Sequence, residues 1–211
     1  HQSKGPRCFH ACRYFSAISR RLHPCNGAAF AVGEGRVKRR GFLGGALVLG
    51  ASPVAAREVM AEHKVPLPML SPPITDGRGR DLTLAAFRGR TVLLNIWATW
   101  CPPCRAEMPT LDRLQANLGG PEFHVVALSI DRGGLETVRA FYADIGIKHL
   151  DLYVSEQLRA MTALGVAGLP TTLLVSAQGR EVARKLGPAE WDSPSAISQI
   201  KRVILEGRSQ K

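Results

Sequence analysis

Downstream of residue 73, short apolar runs alternate with segments in which apolar residues recur at helical spacing. Residues 91–98 and 124–130 are mainly apolar, which is typical of strands buried on both faces of a sheet. Residues 105–118 and 135–145 repeat leucine or aromatic side chains every three or four positions and stop at glycine, as amphipathic helices do. The pattern therefore predicts buried strands alternating with helices.

Shorter patterns complete the predicted order of elements. A turn-rich stretch, 76–80, separates two short extended runs and indicates a small N-terminal hairpin. The alternating run 150–154 predicts a short strand, and Ser155 is placed to cap the helix after it. Residues 171–186 predict a closing hairpin, followed by a last helix that Ser193 caps. We expect an α/β fold in residues 74–207, with a mixed central sheet covered by helices on both faces.

The basic charge of the chain is concentrated in its N-terminal part. Residues 1–56 contain nine of the 28 Lys and Arg residues and one of the 17 acidic residues, so they supply +8 of the net charge of +11. The part that forms the predicted domain is close to balanced. Because the excess charge does not belong to a folded face, nucleic acid is not an expected partner.

Residues 37–56 have the features of an export signal. Lys38-Arg39-Arg40 precedes a glycine-diluted apolar run, and the small residues at 54–56 suit cleavage before Arg57. The paired arginines followed by Phe-Leu resemble a twin-arginine signal. The apolar run, residues 41–51, is shorter than the roughly 20 residues needed to span a bilayer. Cleavage and export to the periplasm are the expected outcome, and an uncleaved anchor formed by residues 41–56 is the alternative.

The flanks of this signal are predicted to lack regular structure. Residues 1–36 fit no export signal, and we interpret them as upstream sequence read through, or as disordered. Their cysteines, Cys8, Cys12 and Cys25, match no standard zinc spacing and are interpreted as incidental. Residues 57–73 contain four prolines and no periodicity, which predicts a linker that enters an edge strand.

Two cysteines lie where the first buried strand passes into a helix. The thiolate is the reactive form of cysteine, and the N-terminus of a helix stabilises a thiolate such as that of Cys101. Pro102 suits the first helical position, and Cys104 follows one turn later on the same face. Neither Pro102 nor Pro103 has an N–H, so the amide of Cys104 is the nearest donor to the sulfur of Cys101. The disulfide would close a very small ring and stabilise the fold little, which indicates redox chemistry.

A Cys-x-x-Cys pair can also form half of a four-ligand zinc site. No cysteine follows Cys104 in the sequence, and no closely spaced histidine pair does either. The ligand set for zinc is therefore incomplete. We expect no metal and no cofactor beyond the redox-active disulfide of Cys101 and Cys104.

Three segments resemble exported thioredoxin-like proteins of the TlpA/ResA type, with the closer likeness to TlpA. They are residues 95–109 (Asn-Ile-Trp-Ala-Thr-Trp-Cys-Pro-Pro-Cys-Arg-Ala-Glu-Met-Pro), residues 168–172 (Gly-Leu-Pro-Thr-Thr) and residues 187–191 (Gly-Pro-Ala-Glu-Trp). The resemblance covers about residues 65–206. It implies a thioredoxin-like fold with a helix-and-strand insertion between Ile130 and Gly165.

The resemblance also implies roles for residues around the cysteines. It implies a cis peptide before Pro170, facing the disulfide, with the backbone of Leu169 pairing with an extended substrate. Asn95 departs from thioredoxin, which has a buried aspartate there, and an amide cannot take up the proton of the resolving cysteine. Glu107, three residues after Cys104, could influence that proton transfer; a solvated helix residue and a partner of an arginine are the alternatives. We expect Trp100 to shield the disulfide and contact partners.

The expected function is that of an exported thiol-disulfide oxidoreductase acting as a reductant. In an oxidising compartment a dithiol must be recharged, so the resemblance implies a membrane electron donor of the DsbD/CcdA kind. The implied substrates are cysteine pairs of apocytochrome c or of copper-site assembly proteins for cytochrome oxidase. Two other functions remain open, a peroxiredoxin-like peroxidase and a copper-binding chaperone that uses the two thiolates.

Overall fold

The two apolar runs of the sequence form the centre of the sheet in the computed structural model, which describes residues 58–209. β4 (Thr91–Trp97) and β5 (Phe123–Ser129) run parallel, and every residue of both strands is buried. α1 (Pro102–Leu118) connects them. The other elements are β1 (Ala61–Pro68), β2 (Ile74–Asp76), β3 (Asp81–Leu82), α2 (Gly134–Ile145), β6 (Tyr153–Val154), α3 (Gln157–Ala163), β7 (Thr171–Val175), β8 (Arg180–Leu186) and α4 (Pro194–Arg208).

Eight strands form one mixed sheet in the order β1-β8-β7-β4-β5-β6-β2-β3. β4, β5 and β6 are parallel to one another, whereas β7 pairs antiparallel with β4 and with β8. β2 and β3 form the predicted N-terminal hairpin, and α2 with β6 forms the predicted insertion. The expected α/β fold, a thioredoxin-like mixed sheet with helices on both faces, is confirmed.

Three local predictions need correction. The strand expected over 150–154 is only two residues long, Tyr153–Val154. Ser155 does not cap α3, because its hydroxyl donates to the carbonyl of Pro73. The carboxylate of Glu156 accepts from the N–H groups of Leu158 and Arg159 instead. The segment expected to be a linker into an edge strand already contains the eight-residue edge strand β1, which pairs with β8 at both of its ends, with a shift of register between Glu62 and Leu67.

The core lies between the sheet and its helices. Trp97, which belongs to the run 91–98 predicted to form a buried strand, is fully buried. Its ring stacks on that of Tyr142 with centroids 5.9 Å apart. The predictions for residues 1–36 and 37–56 lie outside the described residues. Within 58–209, no helix is both long enough and apolar enough to cross a membrane.

Candidate redox site

The disulfide lies at the junction between β4 and α1. Cys101 occupies the N-cap position of α1, and Cys104 lies in its first turn. Their sulfurs are bonded, with the Cα atoms 5.3 Å apart. The amide of Cys104 is 3.4 Å from Sγ of Cys101 and donates to it, as the two intervening prolines led us to expect. A thiolate at this position would therefore meet both an N–H donor and the positive end of the helix.

The two cysteines differ in their exposure to solvent. Cys101 keeps 5% of its surface exposed, whereas Cys104 is completely buried. Only Cys101 is therefore placed to meet an incoming disulfide. Trp100, directly before it, is 60% exposed and offers a large apolar surface beside the reactive sulfur. Exposed aromatic side chains of this kind are common where proteins contact partners.

Glu107 lies on the same helix as the cysteines and is buried, with 2% of its surface exposed. Its Oε1 accepts a hydrogen bond of 2.7 Å from Nδ2 of Asn95. Its Oε2 accepts bonds from Nε1 of Trp191, at 2.9 Å, and from the backbone N–H of Ala189, at 3.1 Å. Glu107 is thus neither a solvated residue nor, within the described chain, the partner of an arginine.

Burial raises the pKa of Glu107 above its ordinary value of 4.5. The hydrogen bonds from Trp191, Asn95 and Ala189 oppose this effect, as does the charge of Lys185 nearby. A carboxylate whose pKa is raised can accept a proton at a pH closer to neutrality than an exposed one. Glu107 therefore has the environment of a proton acceptor.

Asn95 links this carboxylate to the neighbouring strand. It is fully buried in β4 and lies opposite Thr172 in β7. Nδ2 donates both to Glu107 and to Oγ1 of Thr172, 2.9 Å away, whereas Oδ1 has no hydrogen-bond partner among the described residues. Because a buried acceptor without a partner is costly, this oxygen calls for a functional explanation.

Leu169 and Pro170 lie directly before β7, and the peptide bond between them is cis. Because Thr171 pairs with Ile96, this loop lies at the same end of the sheet as the redox turn that follows β4. The carbonyl of Pro170 accepts a hydrogen bond from Gly187 N–H at the end of β8. The cis peptide that the resemblance implied is present, at the end of the sheet that carries the disulfide. Pairing of the Leu169 backbone with a substrate stays a prediction.

Three residues of this region were missed from the sequence. Trp191 belongs to the segment 187–191 that contributed to the resemblance, but nothing local indicated that its indole meets Glu107. Thr172 is the second of two threonines that follow Pro170, and nothing in the sequence distinguished it as a partner of Asn95. Asp131 contacts the chain just before Cys101. The signal that could have indicated this role was a polar residue at the end of a predicted buried strand.

Within residues 58–209, no group of three or more His, Cys, Asp and Glu side chains is arranged to hold a metal ion. The described site contains the disulfide, a buried carboxylate and the hydrogen-bonding groups around it. These groups can exchange a disulfide and move a proton.

The sequence profile of the Redoxin family matches residues 47–204, more than half of the chain. The chain belongs to the Redoxin family. Among curated proteins, it is 30% identical over 114 residues to "Thiol-disulfide oxidoreductase ResA" of Bacillus thuringiensis (strain Al Hakam), covering 54% of this chain and 65% of the relative. It is 32% identical over 107 residues to ResA of Geobacillus thermodenitrificans (strain NG80-2), covering 51% and 60%. The expected TlpA/ResA-type resemblance is confirmed, although the chain matches less than two thirds of these relatives' length.

Solved structures show the same fold. A thiol:disulfide interchange protein of the thioredoxin family from Chlorobium tepidum TLS superposes with a TM-score of 0.53 and 24% identity, over 67% of this chain and 99% of the other. A DsbF homologue from Corynebacterium diphtheriae gives a TM-score of 0.54 and 23% identity, over 74% and 95%. At these identities the structures support the fold alone.

Proposed function

We propose that this chain is an exported thiol-disulfide oxidoreductase that reduces cysteine pairs in partner proteins. The observation that supports this most directly is the pair Cys101 and Cys104 at the N-terminus of α1, with only Cys101 accessible. The activity for which the ResA relatives are named agrees with this proposal. In this proposal the dithiol form is the active reductant, and the disulfide is its product.

The reaction proceeds by two thiol-disulfide exchanges. The thiolate of Cys101 attacks one sulfur of the partner's disulfide, forms a mixed disulfide and releases the partner's other sulfur as a thiolate. The thiolate of Cys104 then attacks Sγ of Cys101, which closes the internal disulfide and releases the second partner sulfur. Two electrons pass to the partner, and each released thiolate takes up a proton.

Cys104 must lose its own proton before the second exchange, although it is completely buried. Glu107 lies one helical turn further along α1, and burial raises its pKa, so we assign this proton to its carboxylate. When Glu107 is protonated, a rotation of the Asn95 amide would turn Oδ1 towards Glu107 and Thr172. The oxygen without a partner would then accept from both hydroxyl groups.

A trapping experiment tests the reductase activity. The Cys104→Ser variant should form a stable mixed disulfide with a disulfide-containing protein such as insulin, and Cys101→Ser should form none. The wild-type dithiol should reduce insulin without accumulating the mixed species. Equal insulin reduction by Cys101→Ser and by the wild type would refute the proposal.

The equilibrium reduction potential against glutathione tests the direction of electron transfer. A reductant should have a strongly negative potential, comparable to the roughly −270 mV of thioredoxin. A value near the roughly −120 mV of DsbA would instead assign the chain to oxidation of thiols. Measuring peroxide consumption on the same samples tests the peroxidase alternative.

Glu107→Gln tests the role of the carboxylate. The variant keeps the size of the side chain but cannot take up a proton, so the closing step on Cys101 should slow and lose its dependence on the Glu107 pKa. Rapid-mixing measurements of mixed-disulfide decay between pH 5 and pH 9 would show this. An unchanged pH profile would remove Glu107 from the mechanism while leaving the two cysteines in place.

The physiological setting rests on the sequence. A twin-arginine-like segment at residues 37–56 favours a periplasmic location, where a membrane donor of the DsbD/CcdA kind would recharge the dithiol. We propose cysteine pairs of apocytochrome c or of cytochrome oxidase copper-site assembly proteins as the substrates. Capture by Cys104→Ser in the native host, followed by mass spectrometry, would distinguish the two substrate classes.

A further inference from the structure

A second buried carboxylate contacts the chain immediately before the disulfide. Asp131 follows β5 and has 7% of its surface exposed. Its Oδ2 accepts from the backbone N–H of Thr99 at 2.9 Å, and its Oδ1 accepts from the Thr99 hydroxyl at 2.7 Å. One carboxylate thus receives both polar hydrogens of a residue that lies two positions before Cys101.

Asp131 is itself held firmly in place. Ser129 Oγ donates to Oδ2 at 2.8 Å, and the Asp131 N–H donates back to the same hydroxyl at 3.0 Å. The carbonyl of Asp131 accepts from Gly134 N–H at the start of α2. Within residues 58–209 its carboxylate has no cation at ion-pair distance, so hydrogen bonds satisfy it. A fully engaged acceptor of this kind imposes a defined geometry on its donors.

The contact between Asp131 and Thr99 lies where the regular pairing of β4 with β5 ends. The last backbone bond between them joins Ile130 N–H to the carbonyl of Trp97. Beyond it, the chain turns from β4 into α1, and Cys101 N–H reaches back to the carbonyl of Ala98. The bonds from Thr99 to Asp131 therefore continue the connection to β5 through the turn that carries Cys101.

We propose that Asp131 is a positioning residue for Cys101. By fixing Thr99, it holds the β4–α1 turn so that Sγ of Cys101 stays at the N-terminus of the helix, within reach of the Cys104 amide. This inference rests on the proposed function, since it assigns a role in thiol reactivity. It does not require that the physiological partner be known.

A positioning role of Asp131 and a purely electrostatic role predict opposite changes in the pKa of Cys101 when Asp131 is replaced by asparagine. Removing a negative charge near a thiol favours its thiolate, so a purely electrostatic role would lower the pKa of Cys101 in Asp131→Asn. Loss of positioning would instead weaken the contact with the helix N-terminus, raise that pKa and slow the attack of the sulfur. Thr99→Val separates the two effects, because it removes one hydrogen bond to Asp131 and leaves the carboxylate charged.

The test is the rate at which iodoacetamide alkylates the reduced full-length protein, measured from pH 5 to pH 9 and quantified at Cys101 by mass spectrometry. Fragment-ion assignment keeps Cys101 separate from the other cysteines of the chain. We expect Asp131→Asn and Thr99→Val to react roughly fivefold more slowly at neutral pH, the size of effect that the loss of one ordinary hydrogen bond would give. Thr99→Ser, which keeps both donors, should react like the wild type, and circular dichroism should show that all the variants are folded.

An unchanged rate in Thr99→Val overturns the proposal, whatever Asp131→Asn does. Faster alkylation in Asp131→Asn, with a lowered pKa of Cys101, also overturns it and leaves an effect of charge. Alkylation requires no protein partner, so the result is independent of insulin reduction. If the wild type failed to reduce insulin while Thr99→Val slowed alkylation, the proposed function would fall and the positioning role would stand.

Discussion

Replacing Glu107 by alanine should destabilise the fold because one carboxylate serves three donors. Nε1 of Trp191 and the N–H of Ala189 lose the acceptor they have in the described chain, whereas Nδ2 of Asn95 keeps Thr172. Each donor left without a partner costs about 1–3 kcal/mol. Removing a charge that burial disfavours offsets part of this loss. We expect a net decrease in the free energy of unfolding of about 2–4 kcal/mol, because the loss at two donors exceeds that offset.

Glu107→Gln is the matched control. Its amide can turn its oxygen towards Trp191 and Ala189 and its NH₂ towards Asn95, whose Oδ1 is free of other partners in the described chain. We therefore expect this variant to lose less than about 1.5 kcal/mol. Urea unfolding of the oxidised proteins at pH 7, followed by far-UV circular dichroism, measures both variants. Equal losses in the two, or a loss below about 1 kcal/mol in Glu107→Ala, would refute the anchoring role.

The difference in the free energy of unfolding between the wild type and Glu107→Gln should also depend on pH, in a direction that follows from the pKa of Glu107. Burial raises the pKa of Glu107 above 4.5 in the folded protein, so the folded state binds a proton more readily than the unfolded state. As the pH falls from the raised pKa towards 4.5, the wild type should gain stability relative to Glu107→Gln. At pH above the raised pKa this contribution is absent. A difference between the two proteins that shrinks or stays constant over this interval would contradict the assignment.

Two further predictions concern residues outside this network. Burial lowers the pKa of His124 below 6.5, despite the nearby charge of Asp151, so the unfolded state binds the proton more readily. Urea unfolding should show the wild type losing stability as the pH falls from 7 through 6.5 towards the lowered pKa, and a parallel loss in His124→Gln would contradict this. Trp100→Ala should leave the melting temperature within about 2 °C, because an exposed side chain contributes little packing. It should slow insulin reduction severalfold while leaving the rate with a small disulfide unchanged, and equal effects on both would exclude partner contact.

The features that the sequence predicted well are those encoded within a few residues. The position of Cys101 follows from a buried strand, a proline at the first helical position and a second cysteine one turn later, all within residues 91–104. The buried strands follow in the same way from runs of apolar side chains. Short-range patterns of this kind depend little on the rest of the chain.

The features that were missed depend on distant partners. Glu107 meets Trp191, 84 positions later, and Asp131 meets Thr99, 32 positions earlier. β1 has almost no buried side chain, so its strand geometry depends on pairing with β8. Ser155 suited an N-cap by its type, but the carbonyl of Pro73 competes for its hydroxyl. In each case the local sequence permits several partners, and tertiary packing selects one.

The burial of the two cysteines determines which of them would react first with a partner and which of them would have to lose its proton inside the protein. In the proposed reaction the first bond to a partner forms at Cys101, because Cys104 is completely buried. The partner is then released only after Cys104 becomes an anion in an apolar environment. Forming that anion without a nearby base would be slow. Glu107 is also buried in α1 and is connected through Asn95 to Thr172 in β7. In the proposed mechanism, rotation of the Asn95 amide would let the carboxylate take up a proton without leaving a donor facing a donor. The amide oxygen that has no partner in the disulfide form is therefore the acceptor that the protonated carboxyl group would need.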